Sequence, residues 1–95
     1  MDDTLQFLGL IYRAGKLVLG EEILKQIKKI RLLIIASDIS EKSRQRLEKK
    51  AYYYQIPMIN SYSSEQISSA LGKNNVRVIG IKDEKIKQTL LNKIG

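Results

Sequence analysis

The side chains with most to offer chemically are carboxylates and cations, because the chain has no histidine and no cysteine. That removes the commonest metal ligand and the commonest general base near neutral pH. It also removes thiolate sites, disulfides and any Ser-His-Asp or Cys-His arrangement. What remains is a pair of adjacent acids, Glu21 and Glu22, directly after Gly20 and one helical turn before Lys25. A further acid, Asp38, stands between Ser37 and Ile39. Glu21, Glu22 and Asp38 are oxygen donors of the kind magnesium takes, yet nothing in their spacing fixes them around one centre. At a helix start the two glutamates also serve simply as partners of its dipole. With no glycine-rich phosphate loop and no room for a cofactor domain, neither a cofactor nor an enzymatic activity is expected.

The cations make a stronger pattern. Lys25, Lys28, Lys29 and Arg31 crowd one segment, and the chain carries a net charge of +7. A small domain this basic points to a polyanion as partner, or to membership of an assembly that contains one. The same lysines also serve as a solvated, solubilising surface. Tyr52, Tyr53 and Tyr54 offer either stacking surfaces for bases or core packing. The acidic start, Met1-Asp2-Asp3, is unlike the basic start of a secretory signal, and no apolar run approaches the ~20 residues of a membrane helix. The expectation is a cytoplasmic protein with no membrane partner.

These residues need a scaffold. Ninety-five residues, 43% of them hydrophobic, make one domain over residues 1–95 with one modest core. Its organiser is the apolar run of residues 32–36, Leu-Leu-Ile-Ile-Ala, followed at once by Ser37 and Asp38. An unbroken apolar run of this length reads as a strand buried on both faces. In open α/β sheets ligands bind beyond the carboxyl ends of such strands, which makes Ser37 to Ser40 a place to look for function.

The other elements alternate around it. Asp2 or Asp3 caps a first helix, in which Leu5, Leu8 and Ile11 or Tyr12 recur at helical spacing. Leu17-Val18-Leu19 suits a brief edge strand. Gly20-Glu21-Glu22 opens a second helix with Ile23, Ile27 and Ile30 as its apolar stripe. Ser40 caps a third helix over residues 41–54, with Leu47, Ala51 and Tyr54 facing inward. Pro57 places the strand around Met58 and Ile59 at an edge. Ser63 and Gln66 form a capping box for a helix that ends at Gly72. A strand over residues 76–81 and a last helix capped by Asp83, with Ile86, Leu90 and Ile94 inward, complete the chain. Strict alternation of this kind calls for an α/β sheet between helices.

In that order and spacing the chain resembles the kink-turn RNA-binding ribosomal protein superfamily. That superfamily includes the archaeal seven-Ae and eukaryotic thirty-type large-subunit proteins, and the likeness is strongest to its small bacterial YlxQ-like members. The residues that carry it are Leu19-Gly20-Glu21-Glu22-Ile23-Leu24-Lys25, the run from Leu32 to Asp38, Tyr54-Gln55-Ile56-Pro57, and Ala70-Leu71-Gly72-Lys73. The resemblance implies a three-layer α/β/α sandwich with a mixed four-stranded sheet. It implies a non-catalytic protein that recognises structured, kink-turn-like RNA, with ribosomal RNA the expected partner. Ribosomal or RNA-processing proteins would be companions, and the free chain would be a monomer. The implied surface joins the start of helix two, the loop after the buried strand and the loop before the last strand. Its residues would be Gly20, Glu21, Glu22, Lys25, Lys28, Ser37, Asp38, Ile39, Lys73, Asn74 and Asn75. There a carboxylate accepts from guanine N1–H and N2–H, and a lysine donates to O6 or N7. Glu21 stands where the ribosomal members have Asn or Lys. It therefore also supports a competing reading, a protein-interaction module that keeps the fold and has lost the RNA site.

Overall fold

The strand β2, Leu32–Ile35, lies at the centre of the computed structural model, which describes residues 3–94. All four of its side chains are buried. The sheet has four strands in the order β1–β4–β2–β3, where β1 is Leu17–Leu19, β3 is Met58–Ile59 and β4 is Val78–Ile81. β4 is antiparallel to both of its neighbours, and β2 and β3 are parallel, so the sheet is mixed. Leu33 stands opposite Gly80 on one side and Met58 on the other. A strand with partners along both edges and helices over both faces has no solvent side, which is why its sequence does not alternate. Pro57 sits just ahead of the edge strand β3, where its missing N–H is not needed and its carbonyl accepts from the Leu33 N–H at 3.0 Å.

Helices cover both faces, giving the α/β/α sandwich. Helices α1 (Asp3–Arg13), α4 (Ser64–Leu71) and α5 (Glu84–Ile94) pack Leu5, Leu8, Ile67, Leu71 and Leu90 against Leu32, Ile34, Ile79 and Ile81. On the other face α2 (Glu22–Lys25), a 3-10 turn (Ile27–Lys29) and α3 (Glu41–Tyr54) bring Ile23, Ile27, Ile30 and Ala51 against Val18 and Leu33. The caps follow the sequence. The Ser40 side chain accepts from the Ser43 N–H at 3.2 Å. Ser63 and Gln66 exchange both bonds of a capping box, at 2.9 and 3.1 Å. Asp83 accepts from the Ile86 N–H at 3.0 Å. Asp3 already lies within α1, and Asp2 lies outside the described residues.

Two elements differ from expectation. The second helix is four residues long, not continuous to Arg31: Gln26 leaves helical geometry (φ −112°, ψ 20°) and the chain tightens into the 3-10 turn. The Arg31 N–H then donates to the Ile81 carbonyl at 2.6 Å, which joins the end of the turn to the sheet. The stripe Ile23, Ile27 and Ile30 is nevertheless wholly buried. The last strand starts at Val78, not Val76, because Ser68 Oγ takes both backbone groups of Val76, at 2.9 and 3.3 Å. Among the described residues no helix is long and apolar enough to cross a membrane.

Candidate functional site

Topology gathers the polar loops. β1 and β2 both run antiparallel to β4, so both leave the sheet beside the start of β4. β3 is parallel to β2 and leaves at the same end. Gly20, residues 37–40, residues 60–63 and residues 75–77 therefore share one end of the sheet. Adjacent strands stand about 4.8 Å apart, which puts the exits of β1 and β2 about 10 Å apart with the entry of β4 between them.

Gly20 makes the reversal out of β1. Its φ of +62° is left-handed, and a Cβ there would meet nothing within 4 Å, so the need for glycine is conformational and not steric. Its carbonyl accepts from the Ile23 N–H at 3.1 Å. Glu21 follows in helical geometry, exposed and outside any ion pair among the described residues. Glu22 lies 3.5 Å from Lys25 Nζ and accepts from Gln26 Nε2 at 3.2 Å. The Gln26 carbonyl oxygen in turn accepts from Lys82 Nζ at 2.7 Å. Glu22, Gln26 and Lys82 thus line an open groove along the free edge of β1. Two neighbouring acids at one helix start repel, and the Lys25 ammonium relieves the second of them. A helix of four residues has little dipole, so recognition here depends on side chains and not on a helix terminus.

Lys28 does not join this group. It lies in the 3-10 turn, three residues before Arg31, whose N–H pairs with Ile81 at the far end of β4.

The loop after β2 is tied down. The Ser64 N–H and hydroxyl donate to the two carboxylate oxygens of Asp38, at 2.8 Å each, which joins this loop to the start of α4. Those two bonds, aided by the Arg77 charge, hold the Asp38 carboxyl below the usual carboxylate range. The Ser37 N–H donates to the Tyr62 carbonyl at 2.8 Å, and Ile39 packs half-buried against the larger core. The loop before β4 is polar. Asn75 adopts a left-handed φ of 59°, which asparagine tolerates better than most residues. Asn74 and Asn75 line an open groove beside Ser64, Ser68 and Ser69 of α4. Lys73 turns toward α1, its ammonium 5.8 Å from the centre of the Tyr12 ring.

Reading the sequence missed Arg77. It is exposed and immediately precedes β4, so it stands between the exits of β1 and β2, and its carbonyl accepts from the Ala36 N–H at 2.8 Å. The available signal was a lone cation at the mouth of an apolar strand. A groove between α2 and α3 was also missed. Ile23, Leu24, Leu47 and Val78 line it together with Gly20, Arg46 and Lys50, and it encloses about 220 Å³. No three acids come close enough to hold a metal ion among the described residues, so Glu21, Glu22 and Asp38 do not assemble a magnesium site.

No family model matches the chain. A structure of a protein of unknown function from Bacillus halodurans superposes with a TM-score of 0.92 at 31% identity, over 99% of this chain and 98% of that one. The 15.5 kDa RNA-binding protein of Giardia lamblia shares the fold, with a TM-score of 0.75 at 18% identity over 96% of this chain and 81% of its own. The RNA-binding protein YlxQ of Enterococcus faecium is 34% identical over 83 residues, which span 84% of this chain and 80% of the relative. At this identity and coverage the chain belongs to the YlxQ-like family.

Proposed function

We propose that the chain is a non-catalytic RNA-binding protein, a single domain that recognises structured, kink-turn-like RNA and acts in association with the ribosome in the cytoplasm. One observation carries the reading. The β1–α2 turn, the loop after β2 and the approach to β4 come out at one end of the sheet, with Arg77 in their midst. The net charge of +7 and the names of two similar RNA-binding proteins point the same way. The contact residues in this reading are Gly20, Glu21, Glu22 and Lys25 from the turn, Ser37 and Ile39 from the second loop, which Asp38 holds in place, and Asn74 and Asn75 from the third. Lys73 sits at the margin and Lys28 outside.

The roles divide by chemistry. Glu21, exposed and outside any ion pair among the described residues, accepts from a guanine Watson–Crick edge. Lys25 and Arg77 donate to guanine O6 or N7 or to phosphate. Asp38 positions the second loop, since both its oxygens are engaged by Ser64. An opened or bent element is the suited target, because the deep groove of regular A-form RNA admits no side chains. The test is binding to a bent kink-turn RNA and to a straight duplex of equal length across a salt series. The bent RNA should bind at least about tenfold tighter. Equal affinities falling together with salt would reduce the activity to nonspecific attraction and sink the proposal.

A second reading rests on Glu21 and on the apolar groove beside it, whose Leu24 is 46% exposed. Both suit a protein partner. Partners retained from a lysate after nuclease treatment, with no RNA enriched, would favour it over RNA binding.

A further inference from the structure

The helix α3 presents to solvent a face of cations and aromatic rings. Lys42, Arg46, Lys49 and Tyr53 recur at i, i+4, i+7 and i+11, which is one stripe on a helix, and all four are exposed. They lie opposite Ala51, which is buried in the smaller core. Lys50 and Tyr52 flank the stripe. The two acids of the helix are engaged elsewhere: Glu41 binds Arg44 and Gln45, and Glu48 attracts the same arginine. Among the described residues Lys42, Arg46, Lys49 and Lys50 make no ion pair. An ordinary solvated helix face mixes both signs; this one does not.

The aromatics make the pattern specific. Tyr52 is 89% exposed and Tyr53 76%, well above any other exposed large apolar side chain among the described residues. Tyr53 is also held in place. Its ring meets that of Tyr54 edge-on, 4.8 Å between centres and 84° between planes, and Tyr54 packs against the smaller core. Exposed rings next to cations are what base stacking with phosphate tracking requires.

We infer that this face is a second RNA contact, which takes a single-stranded segment leaving the RNA held at the loop end of the sheet. The inference rests on the proposed function for the origin of that segment. α3 starts from Ser40 at the loop end, so a strand leaving the loops meets Lys42 first, then Arg46 and Lys49, and reaches Tyr53 after about 16 Å. The groove beside the helix supplies continuity, since Gly20 lines it together with Arg46 and Lys50.

The experiment uses the bent RNA with and without a single-stranded tail of about eight uridines. The tail should tighten binding by about tenfold and quench tyrosine fluorescence. Tyr52→Ala with Tyr53→Ala should abolish the gain and leave affinity for the tail-less RNA unchanged, while Tyr53→Phe retains it. Replacing Lys42, Arg46 and Lys49 by Gln should lower the salt slope for the tailed RNA by about 2, at roughly 0.7 per phosphate. The inference is overturned if the tail adds nothing, if the double alanine variant keeps the gain, or if it weakens both RNAs equally. Failure of the loop site reads differently: the tail-less bent RNA would bind no better than straight duplex while the tail still contributed through the tyrosines.

Discussion

The two faces of the sheet are covered by different kinds of structure. Over one face lie α1, α4 and α5, whose buried Leu and Ile side chains lock onto Leu32, Ile34, Ile79 and Ile81. Over the other lie a four-residue helix, a tight turn and α3, which buries only Ala51 fully and leaves Leu47 and Tyr54 half-exposed. The first face holds the larger cluster of buried side chains, among them the wholly buried Leu8, Ile67 and Leu90. The second covers the sheet thinly and carries the open groove, the exposed tyrosines and the unpaired cations. Where packing asks little of a helix, its sequence is free to carry charge and aromatic surface. The proposed contacts accordingly concentrate on the second face and on the loops at its edge.

The sharpest test of that difference is one truncation on each face. Ile34 is wholly buried in the larger core, and Ile34→Ala should cost about 2–5 kcal/mol. Leu47→Ala, at a half-exposed position on α3, should cost less than about 1.5 kcal/mol. Urea midpoints measure both, and similar losses would erase the distinction between the faces.

Close backbone packing makes a second prediction, on the first face. A Cβ on Gly9 would stand 2.6 Å from the Ala70 carbonyl oxygen, backbone that has no side-chain torsion to turn away. Gly9→Ala should therefore destabilise by about 1–3 kcal/mol, although alanine ordinarily favours a helix. A stabilised variant would show that α1 and α4 pack less closely than this.

On the other side of the comparison, Lys25→Ala should weaken binding of the bent RNA by about 1–3 kcal/mol if the lysine reads a base. Its pairing with Glu22 is exposed on both partners and contributes at most about 1 kcal/mol to folding. Affinity should thus fall with little change in the urea midpoint, the reverse of what Ile34→Ala does. Equal loss from the straight duplex would reduce Lys25 to a phosphate contact.

Which of these features could be read from the sequence follows the same division. The buried strand, the caps at Ser40, Ser63 and Asp83, the edge position of Pro57 and the stripe of Ile23, Ile27 and Ile30 are local patterns, and local patterns survive into the fold. The break at Gln26 was not legible, because no breaker residue marks it. The role of Asp38 was not legible, because its partner Ser64 is far along the chain. Arg77 gains meaning only once the strand order places β4 between β1 and β2.

Asp38 also sets the smallest and most diagnostic effect. It lies where the well-packed side meets the loops, since its two bonds join the exit of β2 to α4. Those bonds favour the carboxylate, so the folded chain takes up the proton less readily than the unfolded chain. Its stabilising contribution is therefore complete above the usual carboxylate range, about pH 4, and is lost as pH falls through the lowered folded value. Glu41 and Glu84 are lowered as well, by Arg44 for the first and by Gln88 and Lys87 for the second, so acid destabilisation is shared. Asp38→Asn should lower the urea midpoint at neutral pH and make its decline in acid shallower than in the parent chain. Asparagine keeps an oxygen that can accept from the Ser64 N–H, so the loop should hold its course and binding of the bent RNA should change little. A large loss of binding with an unchanged acid profile would mean that Asp38 faces the RNA and not α4, moving the boundary between scaffold and contact surface by one loop.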